Sequence, residues 1–218
     1  MQKWLKREGG ERLLLFFNGW GMDERAVNHL QGATDALAFH DYRDISAEPP
    51  PDISAYAAVD VVAWSMGVWT ASALLGRWGI VPRRAVALNG TERPVDDHLG
   101  IPAAIYALTE RGMNQRGWEK FLARLLDDDS PAFTALHRPL RPLPEQVEEL
   151  RRVREQAVNE PSPLAWDKAY ISANDRIFPQ ENQQNFWQGR CPIVRLAGGH
   201  YPFFRLPRWD LIMNYEDR

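Results

Sequence analysis

The sequence predicts an α/β fold with a mostly parallel, doubly wound sheet. A short continuous apolar run occurs at residues 13–17, and largely apolar runs occur at residues 59–64 and 84–88, as expected of strands that are covered on both faces. Helical segments separate these runs, and an alternation of strands with helices is typical of a parallel sheet. A chain of 218 residues is long enough for one such domain, so we expect a single domain over residues 1–218.

The first apolar run ends in the glycine-rich turn Asn18-Gly19-Trp20-Gly21, after which Asp23 can cap a helix from about Glu24 to Leu30. Further strands are expected at residues 36–39, 169–173 and 192–196, and further helices at residues 180–188 and 208–215. Ligands of such a sheet gather at the carboxyl ends of the strands. We therefore look for functional residues directly after each strand.

The run at residues 59–64 leads directly into Ser65, and helical composition follows. A strand, a serine, a tight turn and a helix form the arrangement that a nucleophile elbow requires, because the strained turn exposes the hydroxyl and small neighbours avoid a clash. The usual pattern is G-x-S-x-G, and Ala63 replaces the first glycine while Gly67 keeps the second. The alternative is a buried strand end whose serine caps the following helix.

Two later residues complete a possible triad. A serine hydroxyl needs a general base and a carboxylate that orients the base, and in the hydrolase fold the acid and then the histidine follow the serine. Asp175 comes just after the strand at residues 169–173, and His200 just after the strand at residues 192–196. Both side chains can emerge at the edge that presents Ser65. The three residues predict a catalytic triad in an α/β-hydrolase fold.

Asp175 and His200 could each have a purely structural role instead. Asp175 lies in an Asn-Asp-Arg sequence and could simply form a turn with its own backbone, which would leave Asp96 or Asp97 as weaker alternatives for the acid. His200 could be a structural histidine, although the glycines of Gly198-Gly199 before it indicate a tight exposed loop.

The oxyanion of a serine-catalysed reaction needs two preorganised backbone donors. Met66 supplies one amide because it follows the nucleophile, and the glycines around Trp20 let a second backbone amide approach the reacting carbon. We favour the Trp20 amide, with its indole as a wall of the acyl pocket. The alternative is that Trp20 is a core residue under the turn. The glycines also start a G-x-G-x-x-G pattern of the kind found in dinucleotide sites. The sequence does not favour such a site, because Glu24 stands where the third glycine should be.

Residues 94–163 contain no recognisable buried strand. Helices are predicted around residues 115–126 and 145–157, separated by proline-rich sequence. The second helix has one apolar face, formed by Val147, Leu150, Val153 and Ala157. We therefore expect a helical insertion over the sheet edge that acts as a lid.

The composition excludes several other classes of protein. With 44% hydrophobic and 25% charged residues and a net charge of −3, the chain has no charge excess that points to nucleic acid or a membrane surface. Cys191 is the only cysteine, so an intrachain disulfide and a cysteine metal cluster are excluded, and no metal or phosphate-binding motif is present. No signal-peptide core and no apolar run of about 20 residues occurs. We expect a cytoplasmic protein without a cofactor, a nucleic-acid partner or a membrane partner.

With these residues in place, the sequence resembles the BioG family of pimeloyl-acyl-carrier-protein methyl ester esterases, small α/β hydrolases of biotin synthesis. The resemblance covers nearly the whole chain and rests on Phe17-Asn18-Gly19-Trp20-Gly21, Asp41-Tyr42, Val62-Ala63-Trp64-Ser65-Met66-Gly67-Val68-Trp69, Asn89-Gly90-Thr91, Gly100-Ile101-Pro102, Asp175-Arg176-Ile177-Phe178 and Gly199-His200-Tyr201. The Ala-Trp-Ser-Met-Gly elbow is typical of that family. The resemblance implies Ser65 as nucleophile, His200 as base and Asp175 as orienting acid.

The resemblance also implies a substrate and a partner. The substrate is a methyl-capped pimeloyl group on the phosphopantetheine arm of acyl carrier protein, and hydrolysis frees the distal carboxylate and methanol. An acidic carrier protein is expected to dock on basic residues near the pocket mouth. The candidates in the insertion are Arg138, Arg141, Arg151, Arg152 and Arg154. The alternative is that these charges face solvent, because Glu145, Glu148 and Glu149 lie between them in sequence.

Two other functions fit the same residues. A thioesterase or a general short-chain esterase would use the same triad on a different bond. A non-catalytic protein that binds the carrier could retain the fold, although the complete triad argues against it.

Overall fold

The computed structural model describes residues 2–33, 35–127, 132–133, 135–157 and 164–214, and seven strands in this part form one sheet. The strands are β1 (Gln2–Lys6), β2 (Arg12–Phe17), β3 (Asp35–Phe39), β4 (Ala58–Trp64), β5 (Arg84–Leu88), β6 (Lys168–Ser172) and β7 (Ile193–Leu196). Their order is β1-β3-β2-β4-β5-β6-β7. Strand β1 is antiparallel to β3, and the other neighbouring pairs are parallel. The predicted α/β fold with a mostly parallel sheet is confirmed.

Six α-helices occur in the described part of the chain. They are α1 (Met66–Trp78), α2 (Ala103–Gly112), α3 (Gln115–Leu126), α4 (Leu143–Gln156), α5 (Gln180–Trp187) and α6 (Trp209–Asn214). Short 3₁₀ helices cover Glu24–Ala26 and Tyr42–Asp44. The carboxylate of Asp23 caps the first of these by accepting a hydrogen bond from the Arg25 amide at 3.0 Å. The expected helix to Leu30 is wrong in its length, because Val27 already leaves helical geometry with φ −131° and ψ 4°.

The apolar runs that predicted the strands form the centre of the core. All five residues of β3 are buried, and β4 is buried at every position after its first. Because these strands are shielded along almost their whole length, polar alternation is absent from their sequences. Parallel pairing also places the carboxyl ends of β2, β4, β5, β6 and β7 at one edge of the sheet.

Two elements give weak sequence signals. Strand β1 is a partly exposed edge strand with three polar residues among its five, so it gives no apolar run that would predict a buried strand. In helix α2 only Tyr106 is buried, while Ile105 and Leu108 are 49% and 58% exposed. Because these apolar side chains do not mark a single buried face, the helical periodicity is obscured.

The described part of the expected insertion contains α2, α3 and α4 and an isolated bridge between Val95 and Ile101, but no strand. On α4, Leu150 and Val153 are buried, in agreement with the predicted apolar face. The expected boundary at residue 163 and the end of the last helix at Tyr215 lie outside the described residues.

Candidate active site

Ser65 occupies a strained turn between β4 and α1. Its backbone has φ 60° and ψ −124°, a positive φ that non-glycine residues rarely adopt. A Cβ on Gly67 would lie 2.2 Å from the Phe17 carbonyl oxygen, and a Cβ on Gly90 would lie 2.3 Å from the Ser65 carbonyl oxygen. The turn therefore requires small residues at both positions, which is the geometry expected of a nucleophile elbow.

The side chains of Ser65, His200 and Asp175 form one hydrogen-bonded chain. His200 Nε2 lies 2.8 Å from Ser65 Oγ, and His200 Nδ1 lies 2.9 Å from Asp175 Oδ2. The other oxygen of Asp175 accepts hydrogen bonds from the amides of Ile177 and Phe178, both at 2.9 Å. His200 is 1% exposed, so the expectation of an exposed loop at this residue is wrong. This arrangement can activate a serine hydroxyl by general-base catalysis.

Further buried polar groups hold Asp175 and His200 in place. Gln183 Nε2 donates to Asp175 Oδ2 at 2.9 Å. The His200 carbonyl oxygen accepts hydrogen bonds from Asn89 Nδ2 and from the Trp64 indole, both at 2.9 Å. The sequence places Asn89 at a strand end but assigns it no role, and Gln183 lies on α5, away from any recognised motif.

The turn after β2 lies beside Ser65. The Met22 amide donates to the Gly19 carbonyl oxygen at 3.3 Å, and Gly21 has φ +73°, which suits glycine at the third position of a type II turn. Neither the Trp20 amide nor the Met66 amide donates a hydrogen bond to another group in the described residues. Both amides are therefore available to a ligand at Ser65.

Ser65, Met66 and Trp20 line a cavity of about 500 Å³. Much of its wall is apolar, and it includes Ile101, Ile105, Tyr106, Leu108, Phe121 and Leu150. The Trp20 side chain is 4% exposed and also packs edge-on against Phe121, so it is a core residue and a cavity wall at once. Helices α2, α3 and α4 all contribute to the wall.

Basic side chains also line this cavity. Arg116, Lys120 and Arg124 follow one another at intervals of four residues on α3 and are exposed. No ion pair joins these three to a carboxylate within the described ranges, whereas Arg176 Nη2 lies 3.2 Å from Asp127 Oδ1. The sequence does not predict this basic surface, because three charges on an exposed helix face are common and no local pattern shows that a cavity opens beside them.

Arg141 does not lie on a docking surface. Its side chain is 7% exposed, and its guanidinium contacts Asp41 Oδ1 at 3.1 Å and Glu149 Oε2 at 2.6 Å. Burial raises the pKa of Glu149, and the adjacent Arg141 charge opposes that shift. The expectation that Arg141 meets a carrier protein is wrong, and so is the alternative that its charge faces solvent, because the guanidinium is buried against Glu149 and Asp41.

Of the other arginines proposed for docking, Arg151, Arg152 and Arg154 are exposed and Arg138 is partly buried, and none of the four lines the cavity. Each forms an ion pair: Arg138 with Glu119 at 2.6 Å, Arg151 with Glu155 at 2.9 Å, Arg152 with Glu155 at 3.3 Å and Arg154 with Glu110 at 3.2 Å. Such pairs are typical of solvated surface charges.

No group of three or more His, Cys, Asp or Glu side chains among the described residues could hold a metal ion. Nor does any helix in those same ranges combine the length and the apolar content needed to cross a bilayer.

Comparison with known proteins identifies the family. The family described as "Pimeloyl-ACP methyl esterase BioG" matches residues 1–212. The chain belongs to the BioG family. A crystal structure of BioG from Haemophilus influenzae is similar to it with a TM-score of 0.90 and 35% sequence identity, covering 98% of this chain and 99% of that one. The resemblance noted from the motifs is confirmed.

Two other similarities are more limited. An esterase from Thermogutta terrifontis has a TM-score of 0.64 at 13% identity, over 95% of this chain and 88% of that one, and so shares the fold alone. The α/β-hydrolase fold is confirmed by these structures. A protein of Bacteroides fragilis named malonyl-[acyl-carrier protein] O-methyltransferase is 41% identical over 193 residues, which are 86% of this chain. The match spans only 39% of the Bacteroides protein.

Proposed function

We propose that this BioG-family protein is a serine carboxylesterase that hydrolyses the methyl ester of pimeloyl-[acyl-carrier protein] in biotin biosynthesis. The observation that carries the proposal is the hydrogen-bonded chain from Ser65 Oγ through His200 to Asp175 beside a largely apolar cavity. Membership of the family supports the choice of substrate. The products are pimeloyl-[acyl-carrier protein] and methanol.

In the first half-reaction, Ser65 Oγ attacks the ester carbonyl carbon while His200 Nε2 takes the hydroxyl proton. Asp175 accepts a hydrogen bond from His200 Nδ1 and stabilises the imidazolium that forms. The amides of Met66 and Trp20 donate to the tetrahedral oxyanion. When this intermediate collapses, the methoxy group takes the proton from His200 and leaves as methanol.

In the second half-reaction, His200 removes a proton from water, which attacks the acyl group on Ser65. The new tetrahedral intermediate uses the same two amide donors. Its collapse returns the proton to Ser65 Oγ and releases a carboxylic acid, which ionises at neutral pH. In the overall reaction, one ester and one water molecule give a carboxylate, methanol and a proton, and no cofactor takes part.

The cavity suggests how the substrate is oriented. Its apolar walls suit the methylene chain, and the basic residues Arg116, Lys120, Arg124 and Arg176 suit the phosphate of the phosphopantetheine arm and an acidic carrier. Binding the arm at this basic side leaves the distal methyl ester to reach Ser65. We therefore propose α3, rather than the ion-paired arginines of α4, as the carrier-docking helix.

The name of the Bacteroides relative agrees with this assignment. It describes transfer of a methyl group to an acyl group on the carrier, and this chain matches 39% of that protein. An esterase that removes a methyl ester from a carrier-bound acyl chain would complement such a transferase.

The decisive experiment uses a substrate that contains both a methyl ester and the thioester to the carrier, so that cleavage of either bond can be measured. Purified protein is incubated with pimeloyl methyl ester on acyl carrier protein, and the methanol and free thiol released are measured separately. We expect one methanol per substrate and no thiol. Release of thiol without methanol would identify a thioesterase instead, and release of neither would refute the hydrolase assignment. The carrier-bound free acid is the control for background thiol release.

A further inference from the structure

Helix α4 holds the Trp20-Gly21 turn through three buried hydrogen bonds. Gln146 Nε2 donates to the Gly21 carbonyl oxygen at 2.8 Å, and the Gly21 amide donates to Glu149 Oε2 at 3.2 Å. The Trp20 indole N–H donates to the Gln146 carbonyl oxygen at 2.8 Å. Gln146 is 2% exposed and Glu149 is 0% exposed, so water does not compete for these contacts. The turn is therefore fixed to a helix that follows it by more than 120 residues in sequence.

Glu149 also joins the turn to a second segment. Its other oxygen, Oε1, accepts a hydrogen bond from the Tyr42 amide at 2.9 Å. The Tyr42 hydroxyl in turn donates to the Asn18 carbonyl oxygen at 2.8 Å, just before the turn. Arg141 supplies the opposite charge at 2.6 Å from Glu149 Oε2, which offsets the cost of burying the carboxylate. Each carboxylate oxygen thus has a defined amide donor.

These contacts leave one donor of the turn unoccupied. The indole of Trp20 and both backbone groups of Gly21 bind α4, whereas the Trp20 amide donates to nothing within the described residues. A donor that stabilises an oxyanion must be held in position before the charge develops, because an error of about 1 Å removes much of its effect. The two bonds from α4 to Gly21 fix the two peptide groups that follow this amide, and the indole bond fixes the side chain of Trp20 itself.

We propose that Gln146 and Glu149 are positioning residues that orient the Trp20 amide toward the oxyanion, so that the helical insertion completes the oxyanion hole as well as forming the pocket wall. This inference rests on the proposed esterase function. Neither side chain lines the cavity, and both act through the Trp20-Gly21 turn.

The chain offers a matched pair of variants. Gln146→Met keeps the length of the side chain and removes its hydrogen bond to Gly21. Gln156→Met makes the same change near the end of α4, where the amide instead donates to the carbonyl oxygens of Tyr42 at 3.0 Å and Arg43 at 3.3 Å. Glu149→Gln is a third variant, since a primary amide cannot accept hydrogen bonds on both of its terminal atoms.

The test measures kcat and KM for a short soluble methyl ester in the unmodified protein and the three variants. We expect Gln146→Met and Glu149→Gln to lower kcat about 10-fold to 100-fold with little change in KM, because an oxyanion donor acts in the transition state. Gln156→Met should stay within about twofold of the unmodified protein, since the contacts of residues 20–21 remain. Thermal unfolding identifies any variant that is not folded at the assay temperature, and Glu149→Gln decides the test if Gln146→Met is such a variant.

Two results overturn the inference. The first is an unchanged kcat in both Gln146→Met and Glu149→Gln, and the second is an equal loss in Gln146→Met and Gln156→Met. Ester hydrolysis by the unmodified protein together with either result leaves the proposed function standing. If the unmodified protein hydrolyses no ester, the proposed function fails and the inference fails with it.

Discussion

Ser65 and Trp20 line the same cavity, but different parts of the chain hold them in place. Ser65, Asp175 and His200 follow β4, β6 and β7, so the parallel sheet itself brings their side chains together. The Trp20-Gly21 turn also follows a strand, yet its polar contacts come from Gln146 and Glu149 on α4. The three candidate triad residues thus depend on the sheet, while the donor proposed at Trp20 depends on the insertion.

This difference predicts that substitutions in the two regions reduce activity in different ways. A change at the sheet edge should remove the chemistry altogether, because the proposed mechanism requires Ser65, His200 and Asp175 to act as one unit. A change in the insertion should lower the rate or weaken carrier binding while the contacts of Ser65 with His200 persist.

The largest effect is expected from Ser65→Ala. Removing the hydroxyl should lower turnover of the carrier-linked ester by about 10⁴-fold to 10⁶-fold if the triad acts as a unit. A serine-reactive phosphonate should label the unmodified protein and leave this variant unlabelled in mass spectrometry. Ser54→Ala is the control, since Ser54 is exposed and does not line the cavity. Retained hydrolysis in Ser65→Ala would overturn the mechanism, and an unlabelled parent protein would favour a non-catalytic carrier-binding role.

The second-largest loss of activity is expected from a substitution of Asp175, the proposed acid. Asp175→Asn keeps the shape of the side chain but loses the charge that orients the imidazole, so we expect kcat to fall on the order of 10³-fold to 10⁴-fold. Asp167→Asn is the control, because Asp167 precedes β6 at the opposite edge of the sheet. A kcat within tenfold of the unmodified protein would show that Asp175 serves only its turn, and Asp96 and Asp97 would then be tested as the acid.

Reversing the charge of α3 should weaken binding of the carrier-linked substrate and leave hydrolysis of a small ester unchanged. Arg116→Glu combined with Lys120→Glu should raise its KM about tenfold, because two attractive charges become repulsive, and leave kcat/KM for a small soluble ester unchanged. Arg151→Glu combined with Arg152→Glu is the control, since these residues lie outside the cavity and pair with Glu155. Equal losses on both substrates, or a larger loss in the α4 pair, would refute docking on α3.

The last prediction concerns stability near Arg141 and leaves the chemistry at neutral pH unchanged. Burial, followed by the Arg141 charge, lowers the pKa of His40 to about 4. Below its ordinary pKa near 6.5 the unfolded chain binds a proton that the folded protein does not, so stability is lost as the pH falls from 6.5 toward 4. The loss by pH 5 should be about 2 kcal/mol.

Urea unfolding at pH 7.5 and pH 5 measures this loss, and His40→Gln should remove most of it. His98→Gln, at an exposed histidine, is the control. An unchanged pH dependence in His40→Gln would assign the acid sensitivity to other groups.

Much of the sheet edge could be predicted because its information is local. A buried parallel strand needs a continuous apolar run, and the residue after it is placed at the active edge whatever the rest of the chain does. Ser65, Asp175 and His200 were found by that rule, and the structure brings them within hydrogen-bonding distance. Their catalytic roles stay predictions until the variants are assayed.

Local sequence patterns therefore sufficed to predict the α/β-hydrolase fold, the BioG family and the three candidate residues at the strand ends. Which charges are buried and which face the cavity depends on tertiary contacts. Glu149 and Arg141 look like solvated surface charges in the sequence, but each is buried by the other and by the segment around Asp41. The reason is that burial of a charge depends on partners distant in sequence, and no local pattern encodes them.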